Sequence, residues 1–172
     1  MPYSAHLKEL GAWYRQLWAE SLGKKVDRKN KTVCIGPTPI ASLGATDQHS
    51  QIQLYTEGPN DKTVVFIEVD QFTHNLRVPK TSVAFSGLET LIGKQFTDIL
   101  HAEREATSRG LTQAKRPNGT LYLKKITPDS MGALCLFYEL ATAISGELYD
   151  INAFNQPGVE AGKKEMRDIL SK

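Results

Sequence analysis

Thr63-Val64-Val65-Phe66-Ile67-Glu68-Val69 is the segment that most restricts what this chain can become. A continuous apolar and β-branched run of this length suits a strand covered on both faces, the usual condition of a strand in a parallel sheet. Parallel neighbours are joined by long crossovers, so helices must flank it. Leu7, Leu10, Tyr14 and Leu17 recur at helical spacing between Ser4, an N-cap residue type, and Gly23, a helix stop. Asp47 opens a second helix that reaches about Tyr55 and closes at Gly58-Pro59. A long helix is expected from about Leu88 to Ala114. Pro128 opens a strongly apolar one through Met131, Leu134, Cys135, Leu136 and Tyr138. The last helix starts at Pro157 and carries Val159, Met166, Ile169 and Leu170 on one side.

Two further strands are expected at Thr32–Ile35 and, after a Pro117-Asn118-Gly119 turn, at Leu121–Ile126. Gly36 to Ala45, with two prolines and two glycines, reads as a loop. Strands alternating with helices predict an α/β fold, a three-layer α/β/α sandwich around a mostly parallel sheet. Three strands are few for such a sheet. Either another lies between Phe72 and Val83, or the sheet lacks its first strand, with Met1-Pro2-Tyr3-Ser4 as the tail of one.

The charge balance narrows the function classes. Lys plus Arg number 21 against 19 Asp plus Glu, a net charge of +2. Nucleic-acid and polybasic membrane proteins carry a larger, clustered surplus. Apolar runs such as Val64 to Ile67 are too short to span a bilayer, and the opening residues form no signal sequence. The two cysteines, Cys34 and Cys135, allow at most one disulfide and define no zinc site. A soluble cytoplasmic domain over 1–172, with neither nucleic acid nor membrane as partner, is expected.

Several residues invite chemistry. Gln16 and Glu20 are four apart on the first helix, so their side chains leave the same edge. A carboxylate near an aromatic such as Trp13 can serve as a general base, although a solvated helix-end glutamate near Lys24 is the plainer reading. His49 lies just inside the helix opened by Asp47, where a neutral imidazole that shuttles protons is favoured over an imidazolium; an exposed polar residue in a first turn explains it as well. Lys163 follows Gln156 by seven residues, two helical turns, but Pro157 leaves Gln156 in the preceding loop. His6, His74 and His101 have no paired ligand spacing, so no metal is expected. Thr38, Ser42 and Thr46 lack the glycine pattern of a nucleotide loop, and Cys135 reads as packing. Taken singly, each residue is better explained as surface or core.

Taken together, they form a recognisable pattern. The run from Gly146 through Asn155-Gln156-Pro157-Gly158-Val159-Glu160 to Lys163 closely resembles the C-terminal signature of the glucose-6-phosphate isomerase family. Glu20-Ser21-Leu22-Gly23-Lys24 is similar to its Glu-Ser-x-Gly-Lys segment, and Gln48-His49 to its Gln-His segment, in the same order along the chain. The resemblance implies that Glu20 moves a proton between C2 and C1 of an open-chain sugar phosphate through a cis-enediolate. It implies that His49 and Lys163 assist ring opening and closing, and that Gln16 and Gln156 bind substrate. It implies no cofactor, and glucose 6-phosphate and fructose 6-phosphate as substrates.

The family's fold is a pair of sugar-isomerase (SIS) domains, of which these residues resemble the C-terminal one. An N-terminal SIS domain and a homodimer in the complete enzyme are the implied partners. The family's Gly-Gly-Arg segment and its Ser/Thr-rich phosphate loop have no counterpart here. An arginine there would stabilise the enediolate, and losing one such donor costs about 10²–10³ in rate. The chain alone is therefore expected to be nearly inactive. A non-catalytic sugar-phosphate-binding module and a subunit completed by a separate chain are the rival readings.

Overall fold

The computed structural model describes residues 1–80 and 87–171. After a 3-10 turn at Ala5–Leu7, helix α1 (Lys8–Leu22) stops before Gly23, whose amide still reaches the carbonyl of Ala19 at 3.2 Å. Ser4 precedes the turn in an extended conformation and makes no side-chain cap; its hydroxyl is buried. Strands β1 (Lys24–Val26) and β2 (Thr32–Ile35) follow, then α2 (Gln48–Glu57), β3 (Val64–Gln71), α3 (Phe96–Gln113), β4 (Asn118–Lys125), α4 (Pro128–Leu148) and α5 (Pro157–Leu170). Two compact units result, one of Met1–Gly11 and Ala41–Gly132, the other of Ala12–Ile40 and Ala133–Lys172.

In the first unit β3 pairs in parallel with β4, from Val64 opposite Asn118 to Gln71 opposite Lys125. On its other edge, the Ile67 amide and carbonyl bond the carbonyl of Met1 and the amide of Tyr3, at 3.1 and 2.8 Å. The opening residues thus add one parallel bridge, Pro2 with Ile67. Phe66 and Ile67 are successive and both buried, so both faces of mid-β3 are covered, as its apolar run predicts. Val65, just before them, is exposed. Tyr3, Tyr55, Val64, Phe66 and Leu111 form the core. The mixed α/β class with a parallel sheet is thus observed.

Three local expectations change. Thr32–Ile35 is a strand, but it pairs antiparallel with β1 instead of joining the parallel sheet. The Asp27 carboxylate accepts the amides of Lys29 and Lys31 at 2.8 Å each, closing a tight local hairpin before any distant partner is needed. The long helix begins at Phe96, not Leu88, because Gly93 takes φ +76 and interrupts the turns before it. Asn118 and Gly119 are ladder residues opposite Val64 and Val65; the reversal occurs earlier, with Lys115 at φ 57. Of the expected extra strand, residues 72–80 contribute one isolated bridge, Arg77 with Gln95, and 81–83 lie outside the described residues.

The second unit is built on Leu22, Ile151 and Ala153, with Trp18, Ile35 and Tyr149 packed against them. Helix α4 buries Leu134, Tyr138, Thr142 and Gly146 at four-residue intervals. Gly146 is required there, since a Cβ would come within 2.7 Å of the Ala153 Cβ. By length and composition alone α4 could cross a bilayer, a property it shares with core helices of soluble proteins. Unbroken apolar runs do not reveal it, because Glu139 and Thr142 interrupt them.

Candidate functional site

The last turns of helix α1 carry two of the candidate residues. Gln16 and Glu20 sit one turn apart on its exposed side, and the Gln16 Nε2 donates to Glu20 Oε1 at 3.1 Å. The other carboxylate oxygen accepts from Gln156 Nε2, also at 3.1 Å, from a residue 136 positions away. Gln156 is the N-cap residue of α5, with Pro157 in the first turn, so it stands in the connecting segment as its proline requires. Three of the five candidates therefore meet in one unit, and both oxygens of the carboxylate are engaged. All three are solvent-exposed.

Glu20 is the solvated helix-end glutamate that the plainer reading expects, yet its carboxylate is not paired with the Lys24 ammonium. The Lys24 ammonium turns away from the carboxylate and donates to backbone carbonyls, those of Glu20 at 2.9 Å and Ser21 at 2.7 Å. Only 7% of Lys24 is exposed. Burial holds its pKa below the ordinary lysine value. Beside it lies an open cleft of about 290 Å³, bordered by Lys24, Lys25 and Arg28 on one side and Asn152, Asn155 and Pro157 on the other. Arg28 is spoken for: its guanidinium forks onto Glu147 and its amide donates to the carbonyl of Asp150 at 2.8 Å.

Lys163 lies on α5, exposed, with its ammonium 2.8 Å from Glu160 Oε1. Its partner is that glutamate, one turn away, and not Glu20. His49 belongs to the first unit. It is the second residue of α2 and exposed. Its backbone is firmly held. Gln48 Nε2 donates to the Tyr3 hydroxyl at 2.6 Å and to the Glu103 carbonyl at 3.1 Å. One turn on, the Ser42 hydroxyl donates to Gln51 Oε1 at 2.8 Å, and the Tyr55 hydroxyl shares that acceptor. Asp47 precedes the helix but does not cap it by its side chain; its carboxylate accepts the Leu43 amide at 2.7 Å and the Ser50 hydroxyl at 3.0 Å. A neighbour of each candidate, Lys24 beside Glu20 and Gln48 beside His49, thus does the anchoring. The signal available in the sequence was their place in the two family-like segments.

The arrangement is suited to proton transfer. An exposed carboxylate steadied by two carboxamides can accept a proton from carbon and return it, since amide donors orient the group without neutralising it. Among the described residues, no three His, Cys, Asp or Glu side chains gather closely enough to hold a metal ion.

The comparisons with known proteins agree along the whole length. The family model described as phosphoglucose isomerase matches residues 1–172. A glucose-6-phosphate isomerase of Carboxydothermus hydrogenoformans is 43% identical over all of this chain and 37% of its own length. A probable glucose-6-phosphate isomerase of Methanococcus maripaludis is 42% identical over 99% of the chain and 36% of its own. Among solved structures, a hypothetical protein of Thermus thermophilus superposes with a TM-score of 0.88 at 39% identity, covering 100% of this chain and 40% of that one. A glucose-6-phosphate isomerase of Chlamydia trachomatis gives 0.82 at 27% identity, over 99% of this chain and 34% of its own. The chain thus spans little more than a third of the length of the curated relatives it matches.

Proposed function

The chain belongs to the phosphoglucose isomerase family, and from that premise we propose that it is the C-terminal SIS domain of an aldose–ketose isomerase that interconverts glucose 6-phosphate and fructose 6-phosphate. The observation that carries this reading is the Glu20 carboxylate held between Gln16 and Gln156. In the reaction, Glu20 removes the C2 proton of the open-chain aldose to give the C1–C2 enediolate, the hydroxyl proton passes from O2 to O1, and Glu20 returns its proton to C1. His49 and Lys163 move protons at the ring and anomeric oxygens during ring opening and closing. Gln16 and Gln156 donate to the sugar hydroxyls as well as to the base.

The rest of the machinery belongs to an N-terminal SIS domain, which supplies the enediolate-stabilising arginine and the phosphate loop. The complete enzyme is a cytoplasmic homodimer acting in glycolysis and gluconeogenesis, and the domain's layers are those of an α/β/α sandwich. Support for a missing partner surface comes from α5, where Val159, Met166, Ile169 and Leu170 lie on one side and all are exposed. Leu136, Phe137, Leu140, Ile144 and Leu148 of α4 are exposed as well.

A coupled assay with fructose 6-phosphate tests the proposal. The chain alone should show little turnover. Adding an N-terminal SIS domain in trans should restore it, and Glu20→Gln should lower the restored activity by about 10²–10⁴-fold, as loss of a general base does. A restored activity indifferent to Glu20→Gln would refute the assignment of the base. Binding of the sugar phosphate with no turnover under any supplementation would favour the non-catalytic module.

A further inference from the structure

The last four carbonyls of a helix lack intrahelical donors. In α1 these belong to Ala19, Glu20, Ser21 and Leu22. The Ala19 carbonyl takes the Gly23 amide at 3.2 Å. The next two take a single part-buried ammonium, that of Lys24, at 2.9 and 2.7 Å. The fourth is closely overlaid by β2's exit: a Cβ on Gly36, which has φ +140, would fall 2.8 Å from the Leu22 oxygen. Helix ends are ordinarily closed by glycine or asparagine, or by a nearby cationic side chain that bonds the last carbonyls. Burying the charge is costly unless it is well hydrogen-bonded, and the two carbonyls supply those bonds, which fixes the ammonium and the helix turn it grips together.

What distinguishes this contact is which carbonyl it holds. Glu20 is itself the residue whose backbone the ammonium grips. Lys24 also opens β1, where it pairs with Ile35, and it borders the same cleft as Asn155 and Pro157, the neighbours of Gln156. We infer that Lys24 is a positioning residue for Glu20: by closing on the Glu20 and Ser21 carbonyls it sets the last turn of α1 so that the carboxylate meets the Gln156 carboxamide. This assignment rests on the reading of Glu20 as the base, since only then does the placement serve catalysis. The favourable field of a cation at a helix C-terminus is an added benefit.

The test uses the 172-residue chain and needs no turnover. The side-chain amide resonances of Gln156 and the carboxyl carbon of Glu20 are recorded by NMR for the wild type, Lys24→Met, Lys24→Arg and Glu20→Ala. In Lys24→Met the Gln156 amide should move to its position in Glu20→Ala, while backbone resonances of α4 stay in place. Lys24→Arg, which keeps the charge, should recover at least half of that shift. A Lys24 confined to stability would lower the melting temperature and leave the Gln156 amide at its wild-type position, and that result overturns the inference. If Lys24→Met does not fold, the wild-type chain decides: the Lys24 ammonium should exchange its protons slowly and show coupling across a hydrogen bond to the Glu20 carbonyl, and a freely exchanging ammonium also overturns it. Loss of the contact in Lys24→Met together with an assay indifferent to Glu20→Gln would retain the positioning and refute the assignment of Glu20 as the base alone.

Discussion

Arg104 and Glu68 show how much a single pair can matter in this chain. Their side chains are only 9% and 12% exposed, and the guanidinium Nε donates to the carboxylate. Tyr122 covers the arginine with its ring centroid 5.7 Å away. Removing one member of a buried pair strands the other charge, at a cost of about 3–5 kcal/mol. Urea unfolding should therefore show Arg104→Met destabilised by about that much. Replacing both, Arg104→Met with Glu68→Leu, should recover most of the loss, because an apolar pair of similar volume avoids desolvating two ions. A double variant no better than the single one would mean that packing against Tyr122, not charge, is what Arg104 contributes. None of this was visible in the sequence, where Arg104 is one cation in a polar helix and Glu68 interrupts an apolar strand. Glu20, by contrast, became legible once its Ser, Gly and Lys neighbours were considered together.

Helices α1 and α4 place two tyrosines against each other in the second unit, with the rings of Tyr14 and Tyr138 centred 4.7 Å apart. Burial pushes both phenols up to about 12 from the usual 10.0, and for Tyr138 the neighbouring Tyr14 adds to it. The sign follows from linkage. The unfolded chain ionises these groups near 10 and the folded one near 12, so the folded state holds their protons longer. Their contribution is present in full below about pH 10 and is lost as the pH rises toward about 12. Unfolding free energies measured across that window should fall with pH, and Tyr138→Phe should flatten the fall. An unchanged slope in that variant would assign the alkaline loss elsewhere. Helical spacing of apolar residues announced α1, Pro128 and the strongly apolar stretch after it announced α4, and Pro157 marked where α5 begins. The sequence did not reveal β1, a three-residue strand with two lysines that exists because Asp27 turns the chain back onto β2.

The chain as a whole carries more apolar surface than its own residues cover. Met166, Ile169 and Leu170 on α5 are 55%, 61% and 77% exposed, and no α5 residue is buried. Apolar area of this kind is worth about 25 cal/mol per Å² once removed from water. The chain alone should therefore enhance the fluorescence of an apolar dye such as ANS. Ile169→Glu with Leu170→Glu should lower the signal without moving the melting temperature, and an N-terminal SIS domain in trans should lower it in the unmodified chain. Dye binding unaffected by both would place the sticky surface elsewhere, with α4 the next to test. Hydrophobic periodicity and the signature segments determined by themselves that this is an α/β chain of the isomerase family, because strand and helix patterns are local and the Gln156-to-Lys163 run is contiguous. The Thr32–Ile35 hairpin and the Lys163–Glu160 pair are local contacts that strand and helix patterns alone did not single out. Tertiary structure alone decided that Gln156 converges with Gln16 on one carboxylate, because that contact joins residues 136 positions apart, and no local pattern encodes the distance between two side chains that only folding brings together.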